Sequence, residues 1–125
     1  MHHDLCWENI LRYVNSEKWF IIDFDDACIY PSTENTRFDK HSHVPKISKD
    51  HHDYSVDMWS TGYLILTASV KLHKDDEMKI YVKRKLIADD EFERPSSENA
   101  LTWLWNHYEH DLREDFIQIK KAIFF

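Results

Sequence analysis

Three polar side chains near the start of the chain have the types and spacing that phosphoryl transfer needs: Asp4, Asn9 five positions on, and Asp23 nineteen positions on. One carboxylate orients an attacking hydroxyl and accepts its proton, while an amide and a second carboxylate hold Mg²⁺ over the phosphates of ATP. Asn9 leads into Ile10 and Leu11, and Asp23 follows Ile21 and Ile22 and precedes Phe24. Each metal-ligand candidate therefore stands at the edge of an apolar run.

Those runs are the elements that must position the set. Ile10 to Val14 and Trp19 to Phe24 are short and rich in β-branched and aromatic residues, and Asn15 to Lys18 separates them, so they read as a hairpin. The hairpin carries Asn9 at its entrance and Asp23 at its exit, which brings both candidate ligands to one end. From Ala27 to Asp53 the composition turns polar, with Pro31, Pro45 and several His, and reads as an irregular surface segment. Val56 to Val70 is apolar and nearly Gly-free and runs as a mostly buried helix. Glu77 to Ala88 places Met78, Tyr81, Val82 and Lys85/Leu86 at helical spacing, and Ser96 opens a further helix with Ser97, Glu98 and Asn99 in its first turn. Asp111 to Phe125 aligns Leu112, Phe116, Ile119 and Ile123 on one face, a stripe that wants a partner surface.

The bulk numbers bound what such a chain does. Its 125 residues, 42% hydrophobic, bury one modest core, one domain or part of one. A net charge of −7 argues against nucleic acid as a partner. The basic run Lys79 to Lys85 reads as the wet face of an amphipathic helix. Cys6 and Cys28 make no disulfide framework and the N-terminus has no signal-peptide pattern, so the expected address is intracellular, cytoplasmic or nuclear. No apolar run is long enough to span a bilayer, so no membrane partner is expected. His41, His43, His51 and His52 with Asp50 and Asp53, and His107 with His110, read as solvated residues; no Cys joins them to make a metal site. Trp103 and Trp105 fill or flank the core.

Three segments in order carry a family resemblance. His2-His3-Asp4-Leu5 through Asn9, with Asp23-Phe24-Asp25, resembles the catalytic and magnesium-binding loops of the protein kinase superfamily. Asp57-Met58-Trp59-Ser60-Thr61-Gly62 is similar to the start of the central buried helix of that family's C-terminal lobe, and Arg94-Pro95-Ser96 to the stretch before the lobe's last helix. The resemblance implies a mainly α fold with a small β-hairpin: a protein-kinase-like C-terminal lobe with the N-terminal lobe absent. Residues 1–25 then hold the catalytic and metal-binding loops, 26–53 an activation-segment-like loop and 54–125 a helical subdomain of one partial domain. It assigns Asp4 as the catalytic residue, Asn9 and Asp23 as the Mg²⁺ ligands, and His2, Asp57 and Arg94 as structural. His2 is expected to donate to backbone near Asp23, and Asp57 to accept backbone hydrogen bonds from the catalytic loop. ATP and Mg²⁺ are the family's cofactors and a protein hydroxyl its substrate.

Departures from the pattern have chemical consequences. His3 stands where the family carries an Arg, so a phosphorylated activation segment loses its guanidinium clamp. Cys6 stands where a Lys is common, which removes a positive charge from the transferring phosphate. Asp25 replaces the Gly after Asp23-Phe24, and Lys46 replaces the Glu that pairs with Arg94, so that buried ion pair must be missing or replaced. The short interval from Asp57 to Arg94 leaves a docking helix deleted or reduced to Lys71 through Asp76. The one glycine, Gly62, falls in the expected buried helix, so no Gly-rich phosphate loop is present. The expected function is therefore a kinase C-terminal lobe that is inactive as an isolated chain. Two alternatives compete: a non-catalytic pseudokinase module that binds a protein partner, and a remnant of a small-molecule phosphotransferase of the aminoglycoside or choline kinase type, where a residue other than Gly often follows Asp-Phe.

Overall fold

A computed structural model describes residues 1–16, 18–29, 53–68 and 75–109. Lys46, the histidines at 41, 43, 51 and 52, His110 and the stripe from Asp111 to Phe125 lie outside the described residues. The described chain is mostly helical with one two-stranded antiparallel sheet. It divides into two compact units, Met1–Pro95 and Ser96–Phe125.

In the first unit the hairpin is shorter than its apolar runs. Strand β1 is Ile10–Arg12 and β2 is Trp19–Ile21, paired Ile10 to Ile21, Leu11 to Phe20 and Arg12 to Trp19. The turn is built by local polar chemistry. Asn15 takes a left-handed φ of 59°, which Asn tolerates better than most residues, the Ser16 hydroxyl accepts the Lys18 N–H at 3.0 Å, and the Arg12 Nε–H donates to the Ser16 carbonyl at 2.7 Å. A 3₁₀ turn, Trp7–Asn9, leads into β1.

Helix α1, Ser55–Thr67, begins where the Asp53 carboxylate accepts the Ser55 N–H at 2.7 Å, a negative group at the end where helix N–H groups lack partners. Helix α2, Asp75–Tyr81, passes directly into a π-helical turn, Val82–Leu86, where the expectation was one continuous α-helix. The wider turn closes on a 3.0 Å bond from the Ile87 N–H to the Val82 carbonyl and ends the helix. Val82 and Leu86 point inward, and Lys83, Arg84 and Lys85 stay exposed on the outside. The core lies between these two elements: Val56, Met58 and Leu64 of α1 with Val82, Leu86 and Ala88.

Gly62 sets how closely they meet. A Cβ there would stand 2.7 Å from both Leu86 Cβ and Ile87 Cγ2, so only the absence of a side chain lets α1 lie on the π turn. In the second unit, residues 97–109 are helical, and the Ser96 hydroxyl accepts the Asn99 N–H at 3.2 Å as an N-cap. Among the described residues no helix is long and apolar enough to cross a membrane.

Candidate functional site

Asp57, in the first turn of α1, reaches back to the start of the chain. Its Oδ2 accepts the His2 N–H at 2.7 Å and its Oδ1 the His3 N–H at 2.8 Å. Two charge-assisted bonds to consecutive amides fix the backbone immediately before Asp4. His3 is held there at φ 71°, a conformation costly for a residue with a Cβ, and its ring is wholly buried.

His2 closes the other side of the turn. Its Nδ1 accepts the Asp4 N–H at 3.3 Å, which leaves the proton on Nε2 to be donated to the Ile22 carbonyl at 3.0 Å. The ring also meets Phe24 edge to face, 4.7 Å between centroids. Buried and bonded at both nitrogens, His2 ties Asp4 to the strand that ends before Asp23.

Asn9 is buried beside Asp4. Its Nδ2 donates to the Asp4 carbonyl at 3.0 Å and to Asp4 Oδ2 at 2.9 Å, so the Asn9 amide nitrogen faces Asp4 and Oδ1 is the atom turned away from it. The Ile22 N–H donates to the Asn9 carbonyl at 2.9 Å, which continues the hairpin pairing by one step and puts Asp23 directly after Asn9's partner. Asp23 is exposed at φ 61°, with the Asp25 N–H 3.5 Å from its Oδ1. Asp4 and Asn9 are thus in direct contact, and Asp23 is at the same end of the hairpin.

Among the described residues no three His, Cys, Asp or Glu side chains gather into a metal cage. An Asn oxygen with a single carboxylate matches what Mg²⁺ accepts when phosphates and water complete its shell. Burial, reinforced by the charges of Asp4 and Glu8, pushes the Cys6 thiol up, so no charge of either sign stands at that position near neutral pH.

Arg94 is buried, at 5% exposure, away from this end of the hairpin in its bonding. Its Nε–H donates to the Ala88 carbonyl at 2.9 Å and an Nη1–H to the Ser55 carbonyl at 3.2 Å. Burial pulls the guanidinium down, and the surrounding charges of Glu91, Asp53, Asp89 and Asp90 oppose that. Two backbone carbonyls and a diffuse acidic field occupy this Arg, joining the start of α1 to the segment after the π turn.

Sequence reasoning missed three ties around the turn. The Trp7 Nε1–H donates to Thr67 Oγ1 at 2.8 Å, Met1 and Cys28 exchange backbone bonds of 2.9 and 3.1 Å, and Cys28 Sγ lies 3.6 Å from His3 Nε2. Each joins residues far apart in the chain that follow no periodic pattern, so no local signal marks them. His107, outside this site, bonds through Nδ1 to the Trp103 carbonyl at 2.7 Å and stacks on the Trp103 ring.

Compared with known proteins, the chain is 30% identical over 126 residues to Crinkler effector protein 8 of Phytophthora infestans, an alignment that covers 96% of this chain. It covers 21% of that protein, so the chain spans about a fifth of the length of the curated relative it matches. No protein-family profile and no solved structure matches the chain.

Proposed function

We propose that the chain derives from the C-terminal lobe of a protein-kinase-like ATP-dependent phosphotransferase and, alone, transfers phosphate very poorly. The observation that carries this reading is the Asp4–Asn9 pair on a turn held by Asp57 and His2, with Asp23 delivered to the same place by the hairpin. In that reading Asp4 orients a protein hydroxyl and takes its proton, and Asn9 Oδ1 and the Asp23 carboxylate would hold Mg²⁺, which neutralises phosphate charge when ATP is bound. Asn9 Nδ2 keeps Asp4 turned toward the acceptor by bonding both its carbonyl and its carboxylate. Positioning and electrostatic clamping supply nearly all the rate in this chemistry. A Gly-rich phosphate loop is absent from the sequence and Cys6 contributes no positive charge. In a protein as long as the relative, adjoining sequence would supply the missing cover. The setting is intracellular, with a protein as substrate or partner.

Titrating Mg·ATP into the 125-residue chain tests this: the expected affinity is no better than about millimolar, near −4 kcal/mol. Micromolar binding would show that the chain holds a complete nucleotide site and overturn the inactive-lobe reading.

A second reading, a non-catalytic module that binds a protein partner, is favoured by the hairpin's surface. Leu11, Tyr13, Val14, Trp19 and Ile21 are all exposed, Val14 at 88%. If Asp4→Asn leaves the chain's cellular effect intact while Val14→Asp abolishes it, this second reading replaces the first.

A further inference from the structure

We propose that the outer edge of β2 pairs antiparallel with the same edge of a second copy of this chain, joining two hairpins into a four-stranded sheet across a twofold axis at Phe20. The inference is independent of the phosphotransfer reading. The Tyr13 N–H donates to the Lys18 carbonyl at 3.0 Å and the Ile22 N–H to the Asn9 carbonyl at 2.9 Å. Main-chain groups alternate along a strand, so Lys18, Phe20 and Ile22 turn theirs toward β1, and Trp19 and Ile21 turn theirs outward.

The two edges of the ribbon differ. On β1 the outward N–H of Ile10 donates to the Trp7 carbonyl, so the 3₁₀ turn closes that edge. On β2, among the described residues, no strand lies beyond Trp19 and Ile21, whose side chains are 56% and 44% exposed. An open edge of this kind is a template for a further strand.

The strand that fits it is the same edge turned round. Set antiparallel about Phe20, Trp19 of one copy stands opposite Ile21 of the other, and the twofold axis repeats the pair. Each pair exchanges two N–H···O bonds and packs an aromatic against a β-branched side chain. The same register sets Lys18 of one copy opposite Ile22 and next to Asp23 of the other, and both charged side chains are exposed. That attraction is local, whereas the repulsion between two chains of net charge −7 is screened beyond about 8 Å at physiological salt. So short an edge gives a weak dimer, one that forms and separates with concentration.

Sedimentation of the 125-residue chain from micromolar to millimolar concentration should show a monomer passing into a dimer and nothing larger. Lys18→Asp and Asp23→Lys should each weaken the dimer about tenfold, because like charges then meet twice across the axis. An equimolar mixture of the two variants should recover the loss, since every contact again unites opposite charges. Should Asp23→Lys fail to fold, Ile21→Pro decides: it removes an outward N–H that the hairpin does not use, and should abolish the dimer while the hairpin persists. A wild-type monomer at every concentration leaves the edge to some other strand and overturns the proposal. Species larger than a dimer, a mixture no stronger than the single variants, or undiminished association in folded Ile21→Pro overturns it equally.

Discussion

Asp57 shows how a single charged side chain organises a site it does not enter. Two main-chain donors, from His2 and His3, converge on its two oxygens, and the turn that results carries Asp4. Asp57→Asn keeps the volume but offers one acceptor oxygen to two N–H donors, leaving one of them facing an amide NH₂. A loss of about 3 kcal/mol in denaturant unfolding is expected, the size of a charge-assisted bond plus an unsatisfied donor. A change below about 0.5 kcal/mol would mean that the turn is held elsewhere. Cys6 makes a separate test by pH. Its thiol is raised in the folded chain, so the folded state holds the proton more tightly than the unfolded one. That contribution is complete below the unfolded thiol range and is lost as pH rises through the folded value. Stability should therefore fall from about pH 9 upward, less steeply in Cys6→Ser, as read from melting curves across that range.

At the level of elements, the packing of α1 on the π turn is decided by one residue. Gly62→Ala brings two opposed effects. Helix propensity favours Ala by about 1 kcal/mol, whereas a Cβ 2.7 Å from Leu86 Cβ and Ile87 Cγ2 overpacks a contact between stiff, backbone-proximal atoms. Overpacking costs about 1–3 kcal/mol, so net destabilisation of about 1 kcal/mol or more is expected in chemical denaturation. A stabilised variant would mean that α1 and the π turn separate easily. The hairpin is governed differently: three ladder pairs and a left-handed Asn15 hold it, and an isolated two-stranded ribbon is marginal in water. The backbone bond from Ile22 to Asn9 and the His2 ring on Ile22 anchor its open end. Asn9 and His2 thus stabilise the open end of the hairpin.

For the molecule as a whole, a chain of net charge −7 displays a hairpin with Leu11, Val14, Trp19 and Ile21 in contact with solvent. A sheet that is apolar on both faces normally has both covered. Replacing Val14 with Ser and Ile21 with Thr should lower self-association in sedimentation while the melting temperature stays within a few degrees, because neither side chain is in the core. Unchanged association would place the sticky surface elsewhere.

Much of this was legible from local pattern, since periodicity and turn chemistry act over a few residues. The hairpin, the helix expected over Val56 to Val70 and the helix start at Ser96 were all readable, although the strands are shorter than their apolar runs and the first helix ends at Thr67, with Ala68 extended. The helix expected over Glu77 to Ala88 breaks into a π turn where α1 lies against it at Gly62, a tertiary contact with no local signature. The spacing of Asp4, Asn9 and Asp23 was likewise in the sequence; in the folded chain Asn9 bonds Asp4, and the hairpin pairing sets Asp23 one residue past the Ile22 partner of Asn9. What Arg94 bonds to, and that a thiol 25 residues away meets the His3 ring, were decided only by the folded chain, because such contacts depend on how distant segments come together.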